Sequence, residues 1–126
     1  MKGILLDTNV FLWYINGDER LSVTIRETIE NNPSFIMISI ASIWEIGLKH
    51  AKGNLVLNGG FHNFIFSTIV DTGITIMPIT VEHIETSISL PFHHSDPFDR
   101  IIIAQSKSEN IELLYTDSVF KKYIKS

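Results

Sequence analysis

Short apolar runs alternate along the chain with segments in which apolar residues recur every three or four positions. The runs end in polar or turn residues and predict buried strands at residues 3–6, 35–38, 74–80 and 111–116. The periodic segments predict helices between these strands. Strands separated by helices favour a parallel sheet that is covered by helices on both faces, an α/β fold.

Turn and capping residues set the bounds of the predicted helices. Ser39 and Thr80 are placed to cap the helices that follow them, and Gly17 and Gly73 to end the helices that precede them. Helical segments are expected at residues 10–15, about 22–30, 41–52, 61–72, 81–90, 96–110 and 118–125.

Length and composition narrow the classes of protein. The 126 residues are expected to form one domain, residues 1–126. The absence of cysteine excludes disulfides, thiolate metal sites and a cysteine nucleophile, and favours the cytoplasm. The first apolar run is broken by Asp7 and is too short for a signal peptide or a membrane span. A net charge of −4 argues against a global basic field for nucleic acid.

Three acids follow predicted strands. Asp7 comes directly after the first strand, Asp117 after the last, and Glu45 lies in the first two turns of the helix after the second. The carboxyl ends of parallel strands meet at one edge of a sheet, where ligands bind. Each acid also has an ordinary structural explanation: Asp7 (or Asn9) and Asp117 as helix caps, and Glu45 as the partner of Lys49 four residues later.

Asp96 and Asp99 flank Pro97 at the start of a helix. An acid at the N-cap, proline at the first position and an acid at the third are typical of a helix N-terminus, and local chemistry alone explains both acids. We predict that Asp96 caps the helix and that Asp99, beside Arg100, faces the same sheet edge as the other acids. His93 and His94 are adjacent on a loop and are interpreted as solvated.

Four converging carboxylates repel one another unless a cation is present. Mg²⁺ prefers oxygen ligands and is commonly held by carboxylates together with a substrate phosphate, so the implied chemistry is phosphodiester hydrolysis. Basic residues would then be available for backbone phosphates: Lys49, Lys52, Arg100, Lys121, Lys122 and Lys125. Phosphate-binding loops and the sequence motifs of zinc proteases and serine hydrolases are absent.

Four blocks in this order resemble the PIN-domain family, and more narrowly the VapC toxins of bacterial toxin-antitoxin pairs. They are LLDTNVFLW, SIASIWEIGLKHAKG, LPFHHSDPFDRIIIAQ and LLYTDSVFKKY, and together they span nearly the whole chain. The resemblance implies a three-layer sandwich with a central parallel sheet of four to five strands. One departure is Tyr115, two residues before the last acid, where the family usually has Ser or Thr; its phenol is expected to narrow the site or shift its water.

The resemblance also implies a function and a set of site residues. The acidic metal-binding and catalytic set would be Asp7, Glu45, Asp99 and Asp117, and supporting polar or phosphate contacts would come from Asn9, Lys49 and Arg100. The implied activity is that of an endoribonuclease dependent on Mg²⁺ or Mn²⁺, in a homodimer that a small antitoxin neutralises. Two alternatives stay open: a non-catalytic PIN-like module that binds RNA or protein, and a nuclease that acts on DNA.

Overall fold

The computed structural model describes residues 3–124. The strands in this part of the chain are β1 (Ile4–Leu6), β2 (Ile36–Ser39), β3 (Thr75–Met77) and β4 (Glu112–Leu114). The α-helices are α1 (Thr8–Asn16), α2 (Val23–Asn31), α3 (Ile40–Ala51), α4 (Gly60–Thr72), α5 (Val81–Ser89) and α6 (Pro97–Glu109), and two 3₁₀ helices span Pro33–Phe35 and Ser118–Lys122. The predicted order of strands and helices is confirmed. The last predicted helix is a 3₁₀ helix, and Lys125 lies outside the described residues.

The strands form one parallel sheet in the order β3-β2-β1-β4. Ile4 of β1 is in register with Ile36 of β2 and with Glu112 of β4. The chain therefore builds outward from β1 to β2 and β3, and then returns to the other side of β1 for β4. Such a reversal of strand order opens a crevice at the carboxyl ends of the central strands, where ligands bind in open parallel sheets.

Helices cover both faces of this sheet. Side chains alternate along β1, so Ile4 and Leu6 point into one apolar cluster and Leu5 into the other. Helices α1, α2, α3 and α4 contribute side chains to the first cluster, for example Phe11 and Ile46. The second is filled mainly from α6 and the second 3₁₀ helix, by Ile102, Ile103, Ala104 and Phe120. The predicted three-layer arrangement is confirmed, and within residues 3–124 no helix is long and apolar enough to cross a membrane.

Caps fix where the helices begin and end. The side chains of Ser39 and Thr80 accept from backbone N–H groups of α3 and α5, as predicted. Gly17 and Gly73 end α1 and α4 in the left-handed conformation that glycine adopts at little cost. β3 is shorter than its apolar run because Pro78 has no N–H to donate to a neighbouring strand.

Candidate active site

A pocket of about 160 Å³ opens at the carboxyl edge of β1, β2 and β4. The structure brings all four acids of the predicted set to this pocket. Asp7 arrives from the end of β1, Glu45 from α3, Asp99 from the first turn of α6 and Asp117 from the segment after β4. The remaining lining residues are Thr8, Asn9, Lys49, Asp96 and Phe120.

Asp7 is the most deeply placed of these acids, with 4% of its surface exposed. Its Oδ1 accepts from the N–H of Val10 at 2.7 Å, which caps α1, and its Oδ2 accepts from the N–H of Thr116 at 3.2 Å. The capping interpretation is therefore correct, and the same carboxylate still faces the pocket. Burial raises the pKa of Asp7 from 3.8 to about 6, against the two N–H donors that lower it, and the charges of Asp99 and Glu45 add to the rise.

Glu45 is held from two sides. Its Oε1 lies 2.7 Å from the hydroxyl of Thr8, which in turn lies 2.9 Å from the hydroxyl of Ser42. Its Oε2 lies 3.4 Å from Nζ of Lys49, the ion pair that the spacing of four residues indicates. Because Lys49 also lines the pocket, this pair belongs to the site rather than to a remote surface.

Asp96 and Asp99 divide their roles at the start of α6. Oδ1 of Asp96 accepts from the N–H groups of Phe98 at 2.9 Å and Asp99 at 3.4 Å, so the predicted cap is confirmed. Oδ2 of Asp99 lies 2.7 Å from Nε2 of His94. Burial raises the pKa of Asp99, and the hydrogen bond from His94 opposes that rise. The interpretation of His94 as a solvated side chain was wrong.

Asp117 is exposed, and its Oδ1 caps the second 3₁₀ helix by accepting from the N–H of Val119 at 3.0 Å. The phenol of Tyr115 does not narrow the pocket at this point. It stacks on Phe120 with a centroid distance of 5.4 Å and packs with the second apolar cluster. Tyr115, which departs from the family pattern, therefore packs against the core and does not line the pocket.

Arg100 does not reach the pocket, and its assignment as a phosphate contact is corrected. Its side chain is buried, and its guanidinium donates to backbone carbonyls in the last turn of α5 and in the loop after it, and to the hydroxyl of Tyr123. The carbonyl acceptors are those of Ser87, Leu90, Pro91 and His94, at 2.7 to 3.3 Å. The hydroxyl of Tyr123 lies 3.4 Å away. With these five contacts the guanidinium holds the loop in place and is not available to bind a phosphate.

The sequence profile of the PIN domain family matches residues 4–125. This chain belongs to the PIN domain family.

Solved structures agree with the PIN fold. A chain of the VapBC2 complex from Rickettsia felis, bound to a DNA fragment from its promoter, has a TM-score of 0.72 and 16% identity, with 94% of this chain and 91% of that chain covered. A chain of a toxin–antitoxin complex from Klebsiella pneumoniae has a TM-score of 0.64 and 20% identity, with 92% and 88% covered. No curated protein sequence matches this PIN domain.

The donors of this pocket fit a hard divalent cation. Carboxylate oxygens are the ligands that Mg²⁺ and Mn²⁺ prefer, and the raised pKa of Asp7 reflects uncompensated negative charge in a buried place. His94, Asp96 and Asp99 also offer ligand atoms that lie within 4.8 Å of one another. A cation would thus offset both the desolvation of these buried charges and the repulsion among them.

Two residues of the PIN site escaped the sequence reasoning. Thr8 was not among the predicted site residues, although its position between Asp7 and Asn9 indicated its proximity to the strand edge. His94 gave a weaker signal, because adjacent histidines on a loop are usually solvated. Its contact with Asp99 depends on the path of residues 91–95, which no local pattern predicts.

Proposed function

We propose that this PIN domain is an endoribonuclease that requires a divalent cation, Mg²⁺ or Mn²⁺, and acts as the toxin of a toxin–antitoxin pair. The observation that carries the proposal is the convergence of Asp7, Glu45, Asp99 and Asp117 on one pocket at the sheet edge. A module that only binds RNA or protein gains nothing from holding repelling carboxylates together.

The four acids would hold the cation, and the rest of the chain prepares them for it. When bound, a divalent cation supplies charge neutralisation at the scissile phosphate and acidifies the attacking water. Thr8 orients Glu45, the N–H groups of Val10 and Thr116 fix Asp7, and His94 holds Asp99. Preorganised carboxylates of this kind need little rearrangement when a cation arrives.

The proposed partners follow from the solved relatives. Both are complexes of a toxin with an antitoxin, which supports a small antitoxin protein as the partner of this chain. A homodimer is supported by α5, where exposed Val81, Ile84 and Ile88 follow one another at helical spacing and leave an apolar stripe uncovered.

Cleavage of cellular RNA by the purified chain tests the activity. Discrete fragments are expected with Mg²⁺ and with Mn²⁺, and none with EDTA or with Asp99→Asn. Single-stranded DNA is incubated in parallel and is expected to stay intact. Expression of the wild type in a bacterial host is expected to stop growth, whereas Asp99→Asn is expected to permit it.

Three results would contradict the proposal. Cleavage that survives in Asp99→Asn would point to a contaminating nuclease or to a different site. Equal cleavage of DNA would change the substrate class. A folded wild type that binds RNA but cuts nothing with either ion would identify a binding module instead.

A further inference from the structure

Trp44 is a large apolar side chain that packs in neither of the two apolar clusters. Its exposed fraction is 62%, although it lies on α3 one position before Glu45 of the acidic pocket. It continues an exposed apolar stripe with Ile40 and Leu48, each four residues away along the helix. The burial of α3 against the sheet therefore does not explain why an indole stands here.

The ring of Phe98 fixes the position of Trp44 from the side. The two ring centroids are 5.1 Å apart and the rings are nearly perpendicular, at 82°. Phe98 belongs to the first turn of α6, directly before Asp99. A T-shaped contact of this kind holds the indole in place. Because Trp44 remains mostly exposed, indole surface is left for a ligand.

A groove of about 510 Å³ is lined in part by Phe98, the ring that contacts Trp44. Its lining includes Leu48 and Phe98, and it shares Glu45, Lys49 and Asp96 with the acidic pocket. The groove and the pocket are thus neighbours with a common wall. A polymer whose scissile bond sits at the acids would extend into this groove.

The groove also holds two lysines beside its two acids, Glu45 and Asp96. Lys49 lies in the last turn of α3 and pairs with Glu45, whereas Lys52 lies at the C-cap of that helix and is exposed. Lysines beside an exposed aromatic ring form the combination that binds single-stranded nucleic acid, since the lysines attract phosphates and the ring stacks on a base. The net charge of −4 makes this local arrangement more informative, because the chain as a whole does not attract a polyanion.

We propose that Trp44 is a stacking platform for an unpaired base of the substrate RNA, next to the phosphate that is cleaved. The inference rests on the proposed ribonuclease function and adds to it a residue that positions the RNA beside the cut. In a duplex each base face is covered by its neighbours, so a base must be unstacked to lie on the indole.

Tryptophan fluorescence tests the stacking without any cleavage. The chain has two tryptophans, and Trp13→Phe leaves Trp44 as the single reporter. A short single-stranded oligoribonucleotide, added in EDTA so that no bond is cut, is expected to quench this emission. The same strand annealed to its complement is expected to quench it much less. Unchanged emission with the single strand would overturn the proposal.

Matched variants connect the platform to catalysis. Trp44→Ala is expected to weaken binding of the oligoribonucleotide and to raise KM by about tenfold, whereas Trp44→Phe restores most of both because its ring still stacks. Phe66→Ala is the control, since Phe66 is 60% exposed on α4 and stacks on His62, whereas Trp44 rests on Phe98 of the groove. It is expected to behave as the wild type.

The outcomes separate this inference from the ribonuclease proposal. If Trp44→Ala cleaves RNA with an unchanged KM and an unchanged affinity for RNA, the stacking role of Trp44 is wrong. The ribonuclease proposal is then unaffected. If that variant instead loses co-purification with a co-expressed antitoxin, the groove is a protein surface. If RNA quenches the emission of Trp44 but the wild type cleaves no RNA, the RNA-binding site is confirmed and the ribonuclease proposal is wrong.

Discussion

Nε2 of His94 lies 2.7 Å from Oδ2 of Asp99, so a loop residue holds one of the four acids in place. The loop is itself held at this residue. The N–H of His94 donates to the hydroxyl of Tyr123 at 2.9 Å, and its carbonyl accepts from Arg100 at 3.3 Å. Asp99 is therefore positioned by a chain of contacts that reaches back into the second apolar cluster.

Loss of the imidazole should weaken the cation site without unfolding the chain. His94→Ala is expected to lower the affinity for Mn²⁺, and the rate of RNA cleavage, by about 10- to 100-fold, as for other residues that orient metal ligands. Calorimetric titration with Mn²⁺ measures the affinity directly. His93→Ala serves as the control, because the exposed His93 contacts Tyr123 and not the acids. Equal losses in both variants would assign the effect to the loop as a whole.

Asp96 and Asp99 should respond differently to the same conservative change. Asn caps a helix about as well as Asp, so Asp96→Asn is expected to keep the wild-type stability, whereas Asp96→Ala loses about 1 kcal/mol of unfolding free energy. Asp99→Asn is expected to keep the fold and to lose cation binding. Urea unfolding and Mn²⁺ titration of all three variants test this division. Loss of Mn²⁺ binding in Asp96→Asn would make Asp96 a ligand as well as a cap.

Asp7 should make the stability of the metal-free protein fall as the pH rises. Its folded pKa of about 6 exceeds its ordinary value of 3.8, so its contribution is fully present below about pH 4 and is lost as the pH rises through 6. A shift of about 2 units corresponds to about 3 kcal/mol. We expect the stability of the wild type to fall by about this amount relative to Asp7→Asn between those limits.

Urea unfolding of both proteins in EDTA, over a series of pH values, measures this difference. The asparagine loses one of the two backbone contacts, because its Oδ1 accepts from one of the N–H groups of Val10 and Thr116 and its NH2 group cannot accept from the other. That loss is independent of pH and leaves the slope intact. Saturating Mg²⁺ should reduce the slope by binding the charged form of the folded state. A difference that stays constant with pH would contradict the buried charge at Asp7.

Arg100→Lys separates a loop organiser from a phosphate contact. A lysine supplies the same charge to a phosphate, but its single ammonium cannot reach carbonyls on several sides as the planar guanidinium does. We expect a loss of about 3 kcal/mol in unfolding free energy, together with faster hydrogen exchange in residues 90–95. Wild-type stability combined with weaker RNA binding would instead restore the phosphate assignment.

Much of the fold could be predicted because its determinants are local. Apolar runs such as residues 3–6 mark strands, and Ser39 and Thr80 begin their helices through contacts with residues two or three positions away. The meeting of Asp7 and Asp117 followed from one global rule, that parallel strands point their carboxyl ends to the same edge. Local signals and this rule together predicted a site at this edge of the sheet, and the resemblance to the PIN-domain family supplied its set of four acids.

The rest could not be predicted because it depends on a loop without regular structure. Arg100 bonds to residues 6 to 13 positions before it, and the sequence does not indicate that those carbonyls turn inward. A charged residue beside an acid was therefore interpreted as exposed. The contact of His94 with Asp99 depends on the same loop and was missed for the same reason.

The hydrogen bond from Thr116 to Asp7 joins two residues that are 109 positions apart in the chain. Of the four strands in residues 3–124, β4 is synthesised last, and Asp117 follows it. A nascent chain that carries only the first three strands therefore lacks both the fourth acid and the amide that fixes the first. On the proposed function, the protein would emerge from the ribosome inert, and the proposed cation site would form only when β4 pairs with β1. A chain shortened to end before β4 should accordingly bind no Mn²⁺ at this pocket and leave RNA intact.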